Sequence, residues 1–232
     1  MNQSHTRRSA GHASARQFLQ TVLQRYAGLS EYADRGQVQS WRGREPYAIE
    51  FRTARNAAGD FRFDFDCPHP YPPLRHHISH HSLGWVADEA YLTLGYPTAE
   101  QPLSRRFDDR GYAVAAATGI SRGAAHTIAG LLFPETGGLS LLSLQRLRFR
   151  GLKQVDGVAC YRITGHWDRS RVTLLIGMQD LLLRECKEHR RRRVERRWPC
   201  ALSTLAGPET FTPPLASAAA AAAVMAPLTT SP

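Results

Sequence analysis

Pro46-Tyr47-Ala48-Ile49-Glu50-Phe51-Arg52, followed after a polar interval by Phe61-Arg62-Phe63-Asp64-Phe65-Asp66, is the stretch that decides the fold. Tyr47, Ile49 and Phe51 alternate with Ala48, Glu50 and Arg52, and Phe61, Phe63 and Phe65 alternate with charged residues. A period of two gives a strand one apolar and one polar face. Asn56-Ala57-Ala58-Gly59-Asp60 between the runs supplies a turn, so the pair predicts a hairpin with six large apolar side chains on one face.

The same reading extends in both directions. Upstream, Phe18, Val22, Leu23, Tyr26 and Leu29 recur at helical spacing and predict an amphipathic helix ending near Gly28. Downstream, a Pro-rich loop at 68–73 leads to a His-rich strand and then to a strand in 85–95. Residues 104–133 break the β pattern, and 112–118 and 124–132 predict two short helices. Leu147–Lys153 and Val158–Gly165 flank Val155-Asp156-Gly157, and Asp-Gly is a strong hairpin signal. Val172–Met178 and Leu181–Glu188 predict a second hairpin around Gln179-Asp180, and Arg190–Trp198 one more strand. Hairpins in series with a helical insertion indicate an α+β class built on an antiparallel sheet. One β-rich domain over 17–214 is expected, with disordered tails at 1–16 and 215–232.

The chain has 232 residues, 42% of them hydrophobic, enough for a core. The longest apolar run, Ala218–Ala226, falls far short of the roughly 20 residues needed to span a bilayer. The net charge of +10 is uneven: residues 184–197 hold eight Arg or Lys against Glu185, Glu188 and Glu195. A balanced body with one hot segment is unlike a chain that is basic throughout. The cysteines Cys67, Cys160, Cys186 and Cys200 form no C-x-x-C pair, which argues against structural zinc and leaves their disulfide state open. Ala13-Ser14-Ala15 has the small-x-small form of a signal cleavage site, yet no apolar stretch precedes it. The expectation is a cytoplasmic protein as written, or a periplasmic one if a signal sequence lies upstream.

The order of features resembles the bacterial outer-membrane lipoprotein carriers of the LolA/LolB type. It is carried by Gln24-Arg25-Tyr26-Ala27, Tyr32-Ala33-Asp34-Arg35-Gly36-Gln37-Val38 and Phe61-Arg62-Phe63. Thr118-Gly119-Ile120-Ser121, Ala124-Ala125-His126-Thr127-Ile128, Cys160-Tyr161-Arg162-Ile163 and Pro213-Pro214 complete it. The resemblance implies a curved half-barrel sheet lidded by helices over an apolar cavity. The function it implies is non-enzymatic carriage or sensing, with a lipid or lipidated protein as partner and no cofactor. Phe51, Phe61, Phe63, Phe65 and Trp85 are expected to line that cavity. Arg55 is the nearest match to a rim arginine, although such carriers commonly have Arg-Pro where Arg55-Asn56 stands, with two fewer residues before the Phe.

His69, His76, His77, His80 and His81 cluster, but a strand sends His76 and His80 to one face and His77 and His81 to the other, with the rings on each face about two pleats apart, and no metal site is expected. Arg190, Arg191, Arg192, Arg193, Arg196 and Arg197 suit an anionic partner, for which a membrane surface is a candidate. Nucleic acid is disfavoured, because no base-reading module accompanies them. The bland alternative is an edge strand kept soluble by charge. In that reading the domain is a filled-core interaction module. Gly119-Ile120-Ser121-Arg122-Gly123 matches a nucleophile elbow in letters, with Asp156 and His166 following, but a helix precedes it where a strand is required. Gly36, Gly137 and Gly138 read as turn residues. Asp64, Asp66 and Arg62 read as a solvated face.

Overall fold

The computed structural model describes residues 3–42, 45–87, 89–138, 140–205 and 208–212. The decisive hairpin is present as β2 (Glu45–Arg55) and β3 (Phe61–Pro68), with Phe51 opposite Phe65 and Thr53 opposite Phe63. Tyr47, Ile49, Phe51, Phe61, Phe63 and Phe65 are all buried, while the alternate positions are not. They form one side of a larger sheet. Its other strands are β1 (Tyr32–Arg42), β4 (Ile78–Val86), β5 (Glu89–Gly95), β6 (Leu103–Phe107), β7 (Gln145–Val155), β8 (Val158–Trp167), β9 (Ser170–Gly177), β10 (Leu183–Glu188) and β11 (Arg193–Cys200).

The eleven strands pair antiparallel in the order β6-β5-β4-β3-β2-β1-β11-β10-β9-β8-β7. The sheet is open, since its edges β6 and β7 do not meet. Both edges carry arginines, Arg105 and Arg106 on one and Arg146, Arg148 and Arg150 on the other, a guard against edge-to-edge pairing. Asp156 and Gly157 both have positive φ, as a two-residue hairpin turn with right-handed strand twist demands.

Three helices cover one face: α1 (Gln3–Ala27), α2 (Arg110–Ile120) and α3 (Ala124–Leu132). One continuous core joins α1 side chains (Leu19, Val22, Tyr26), the α3 residues Ile128, Leu131 and Leu132, and strands from both wings of the sheet. The sheet therefore wraps around the helices, with α3 at the centre. Eight of the nine α3 residues are buried, which explains its largely apolar sequence. No described helix is long and apolar enough to cross a membrane.

Three features depart from the sequence reading. β1 and β6 carry weak alternation and were not expected as strands. Gly36 is not in a turn: it sits mid-strand in β1, opposite Phe51 on one side and Arg197 on the other. A Cβ there would overlap the Phe51 ring, so glycine makes room for the aromatic ring to lie across the strand. Finally, β11 is not an edge strand, because it is clamped between β1 and β10. The helix expected from Phe18 begins at Gln3, and the C-terminal tail at 215–232 lies outside the described residues.

Candidate functional site

The position of β11 decides where its charges go. Alternation sends Arg193, Glu195 and Arg197 to the helix-covered face and leaves Arg196 and Trp198 on the outer one. Arg197 donates to Asp34 of β1 at 2.7 Å and to Glu195 at 2.7 Å, and none of these three side chains is exposed. Arg193 bonds Glu195, and at 3.2 Å Glu188. Tyr32 donates to Asp34 at 2.6 Å, and the Tyr26 oxygen accepts the Leu183 N–H at 3.0 Å. The result is a buried ladder of alternating sign, Asp34–Arg197–Glu195–Arg193–Glu188, crossing β1, β11 and β10. Burial alone pushes the Glu195 carboxyl up, but Arg197, Arg193 and the Thr127 hydroxyl outweigh it and hold it below its ordinary value.

The ladder also fixes the helices. Thr127 of α3 donates to Glu195 at 2.8 Å, Arg197 to the Ala124 carbonyl at 3.3 Å, and Arg193 to the Arg122 carbonyl at 2.6 Å. Arg193 and Arg197 are thus withdrawn from the expected anionic contact, because buried carboxylates of the same domain already satisfy them. Arg190 and Arg191 remain exposed, and Arg192 lies over the Trp41 ring. Arg196 is half-exposed and pairs with Glu185 at 3.2 Å.

At the outer end of the ladder the helices and the sheet part, leaving an open cleft of about 1030 Å³. Its walls come from the α2–α3 junction (Gly119, Arg122, His126), the β8–β9 turn (Trp167, Asp168, Ser170) and the β10–β11 turn (Arg190, Arg191). Two donors in the wall, Trp167 Nε1 and Ser170 Oγ, are buried without a partner among the described residues. Unpaired buried donors are uncommon and costly. A cleft with three rim arginines and a tryptophan, against the Asp168 and Glu188 carboxylates, can hold an anionic group with some apolar body. Arg122 and His126 were not singled out in the sequence; their one signal was the bend between two short helices.

The aromatic set expected to line a cavity is brought together, but as packed core. Phe61 stacks on Trp85 at 4.3 Å, and Phe133 meets both edge-on at 5.3 and 4.7 Å. Phe63 lies 5.4 Å from Phe51 and 5.3 Å from Phe65. The Arg197 guanidinium caps Phe51 at 4.6 Å, and Arg55 lies over Phe133 at 5.1 Å. None of these residues borders the cleft.

Ser121 is fully buried, and its hydroxyl accepts the Ala125 N–H at 3.1 Å as a helix-start contact. It follows α2 instead of a strand, and Asp156 is engaged by the Trp198 indole N–H at 2.7 Å. His80 and His81 take opposite faces of β4 as expected, with His80 on Asp66 at 2.7 Å and His81 against Phe65. His76 and His77 lie before the strand begins. No group of three or more metal-binding side chains occurs among the described residues. All four cysteines are free, and burial pushes the thiols of Cys67 and Cys186 up to about 12, which keeps them protonated at neutral pH.

No family model and no curated protein matches the chain. Among solved structures it is similar to MucB, with 12% identity, 85% of this chain and 64% of that one covered, and a TM-score of 0.46. In the structure of MucB with MucA(peri), the chain spans about three-fifths of the matched length. It is similar to the Mycobacterium tuberculosis lipoprotein LppX, at 12% identity over 88% of this chain and 99% of that one, with a TM-score of 0.45. For a LolA superfamily protein from Nitrosomonas europaea the identity is 8%, the coverage 78% and 91%, and the TM-score 0.30.

Proposed function

We propose that this chain is a non-enzymatic binding protein that takes an anionic amphiphile, a lipid or the acylated end of a protein, in the cleft between its helices and its sheet. The observation that carries the reading is the cleft itself. Its volume of about 1030 Å³ suits a sizeable small-molecule ligand. Arg122, Arg190 and Arg191 on its rim favour a phosphate or carboxylate head. The aromatic core contributes rigidity to the frame, and the ligand sits beside it.

The test uses the delipidated full chain and two fluorescent acyl probes, one with a phosphate head and one with an uncharged hydroxyl. Preferential binding of the phosphate probe, weakened about tenfold by Arg190→Gln with Arg191→Gln, is expected for the loss of two charge-assisted contacts. A protein that binds neither probe would sink this reading and leave the filled-core interaction module, which the packed Phe51–Phe65 rings favour.

A further inference from the structure

A second basic site lies on the opposite face of the sheet, away from the helices. Arg150, Lys153, Arg162, Arg171, Lys187 and His189 line a groove of about 530 Å³ across β7 to β10 and the turn after β10. Each is exposed, and none of the five arginines and lysines makes an ion pair among the described residues. Glu185, the one carboxylate in the groove, is buried and taken by Arg196. Two of the arginines are already oriented. Arg162 donates twice to the Arg150 carbonyl, at 3.0 and 2.7 Å, where β7 bulges, and Arg150 donates to Thr164 at 3.3 Å. Uncompensated like charges packed together raise the free energy of the unliganded surface.

We propose that this groove is a docking site for an extended acidic segment of a partner protein. Charge complementarity selects an anion, and the floor and walls select among anions. Leu175, Thr164 and Thr173 form an apolar, hydroxyl-bearing floor that suits a peptide. The β7–β8 turn reaches across to β11, where Asp156 accepts the Trp198 indole N–H at 2.7 Å, and a groove of about 530 Å³ is a concavity that a chain follows more closely than a flat bilayer does. Apart from the His189 imidazole, no aromatic ring lines the groove, which removes the stacking platform that single-stranded nucleic acid uses. An extended acidic segment presents carboxylates every second residue on one side, toward the arginines and lysines.

His189 reports the local field. Burial, Lys187 and Arg171 together push its imidazole below the ordinary value, and a bound carboxylate would push it back up.

The experiment measures anisotropy of a fluorescein-labelled peptide of about 12 residues, alternating Glu and Ser, at low ionic strength and again at about 0.15 M. The full chain is compared with Arg171→Glu/Lys187→Glu, whose side chains make no hydrogen bond among the described residues. The charge-matched control is Arg190→Glu/Arg191→Glu at the cleft, which separates this site from the acyl site proposed above. The groove pair should weaken the peptide about tenfold or more, and the control by less than about twofold. The His189 titration should rise on peptide addition. Equal losses from both pairs would reduce the effect to net charge and overturn the proposal. So would tighter binding of phosphatidylglycerol vesicles or single-stranded DNA than of the peptide through Arg171 and Lys187.

Discussion

The Arg197 guanidinium and the Asp34 carboxylate meet at 2.7 Å with neither side chain exposed, although the two residues are 163 positions apart. Two charges so deeply buried are tolerable only when each is paired and hydrogen-bonded. Glu195, Tyr32 and the Ala124 carbonyl add to that set, while Asp34 Oδ1 has no partner among the described residues. The pair ties β1 to β11, and desolvation of both charges offsets much of the attraction its geometry provides.

Arg197→Ala should destabilise the domain by about 3–5 kcal/mol, because it leaves the buried Asp34 carboxylate without a cation and Glu195 with Arg193 alone. Replacing Asp34, Glu195 and Arg197 together by Leu, Leu and Met should cost much less than the single change predicts. Urea unfolding midpoints for both variants decide the matter. A mild Arg197→Ala would show that water reaches the ladder.

Phe63 is fully buried between Phe51 and Phe65. Phe63→Ala should cost about 3–5 kcal/mol, and Phe63→Asp should leave the domain unfolded at room temperature. Thermal melting checks both. A folded Phe63→Asp protein would mean that an apolar cavity exists beside this ring.

Gly36→Ala should cost about 1–3 kcal/mol or more, as overpacking does, since the new methyl meets the Phe51 ring, with its Arg197 cap, and also the Arg196 backbone carbonyl. Combining it with Phe51→Leu should cost less than the sum of the two single changes. Additive melting temperatures would disprove the steric link.

Stability should fall with acid through His81. Burial first, then neighbouring His80, holds its imidazole below 6.5, against the weaker opposite pull of Asp66. Below about 6.5 the unfolded chain takes up that proton before the folded one does, so stability drops as pH decreases until the folded value is passed. The slope from this group cannot exceed about 1.4 kcal/mol per pH unit. Denaturant melts from pH 7.5 to 5 should be flatter for His81→Gln than for the wild type. Parallel curves would remove His81 from the account.

Ser121→Ala should cost about 0.5–2 kcal/mol, as loss of a side-chain acceptor at a helix start does, and should leave any hydrolysis of acyl esters unchanged. Esterase activity that disappears with Ser121 would contradict its burial.

The sheet was legible wherever alternation was strong, as in Tyr47–Phe51, Phe61–Phe65 and the hairpin at Asp156-Gly157. β1 escaped because Asp34 and Gly36 occupy inward positions where alternation calls for apolar side chains. The same cause hid the role of β11. Arg193, Glu195 and Arg197 look like solvated charge in one dimension, and only their partners on β1 and β10 reveal them as interior. The cleft was not legible, since its walls come from three junctions distant in sequence. Phe51, Phe61, Phe63, Phe65 and Trp85 were correctly grouped as neighbours, but alternation cannot tell a ring facing ligand from one facing another ring.

The strand order has a consequence for how the chain assembles. β1 to β6 and β7 to β11 are two meanders, each able to form from neighbouring hairpins, and the pairing of β1 with β11 is the seam between them. Hairpins close in microseconds, whereas distant pairing must first overcome the loop entropy of most of the chain. The two fans should thus gain protection from hydrogen exchange early and the seam late. Because the Asp34–Arg197 rung of the charged ladder crosses that seam, this carboxylate and guanidinium should stay hydrated until the seam closes, later than the Glu195–Arg193–Glu188 rungs inside the second fan.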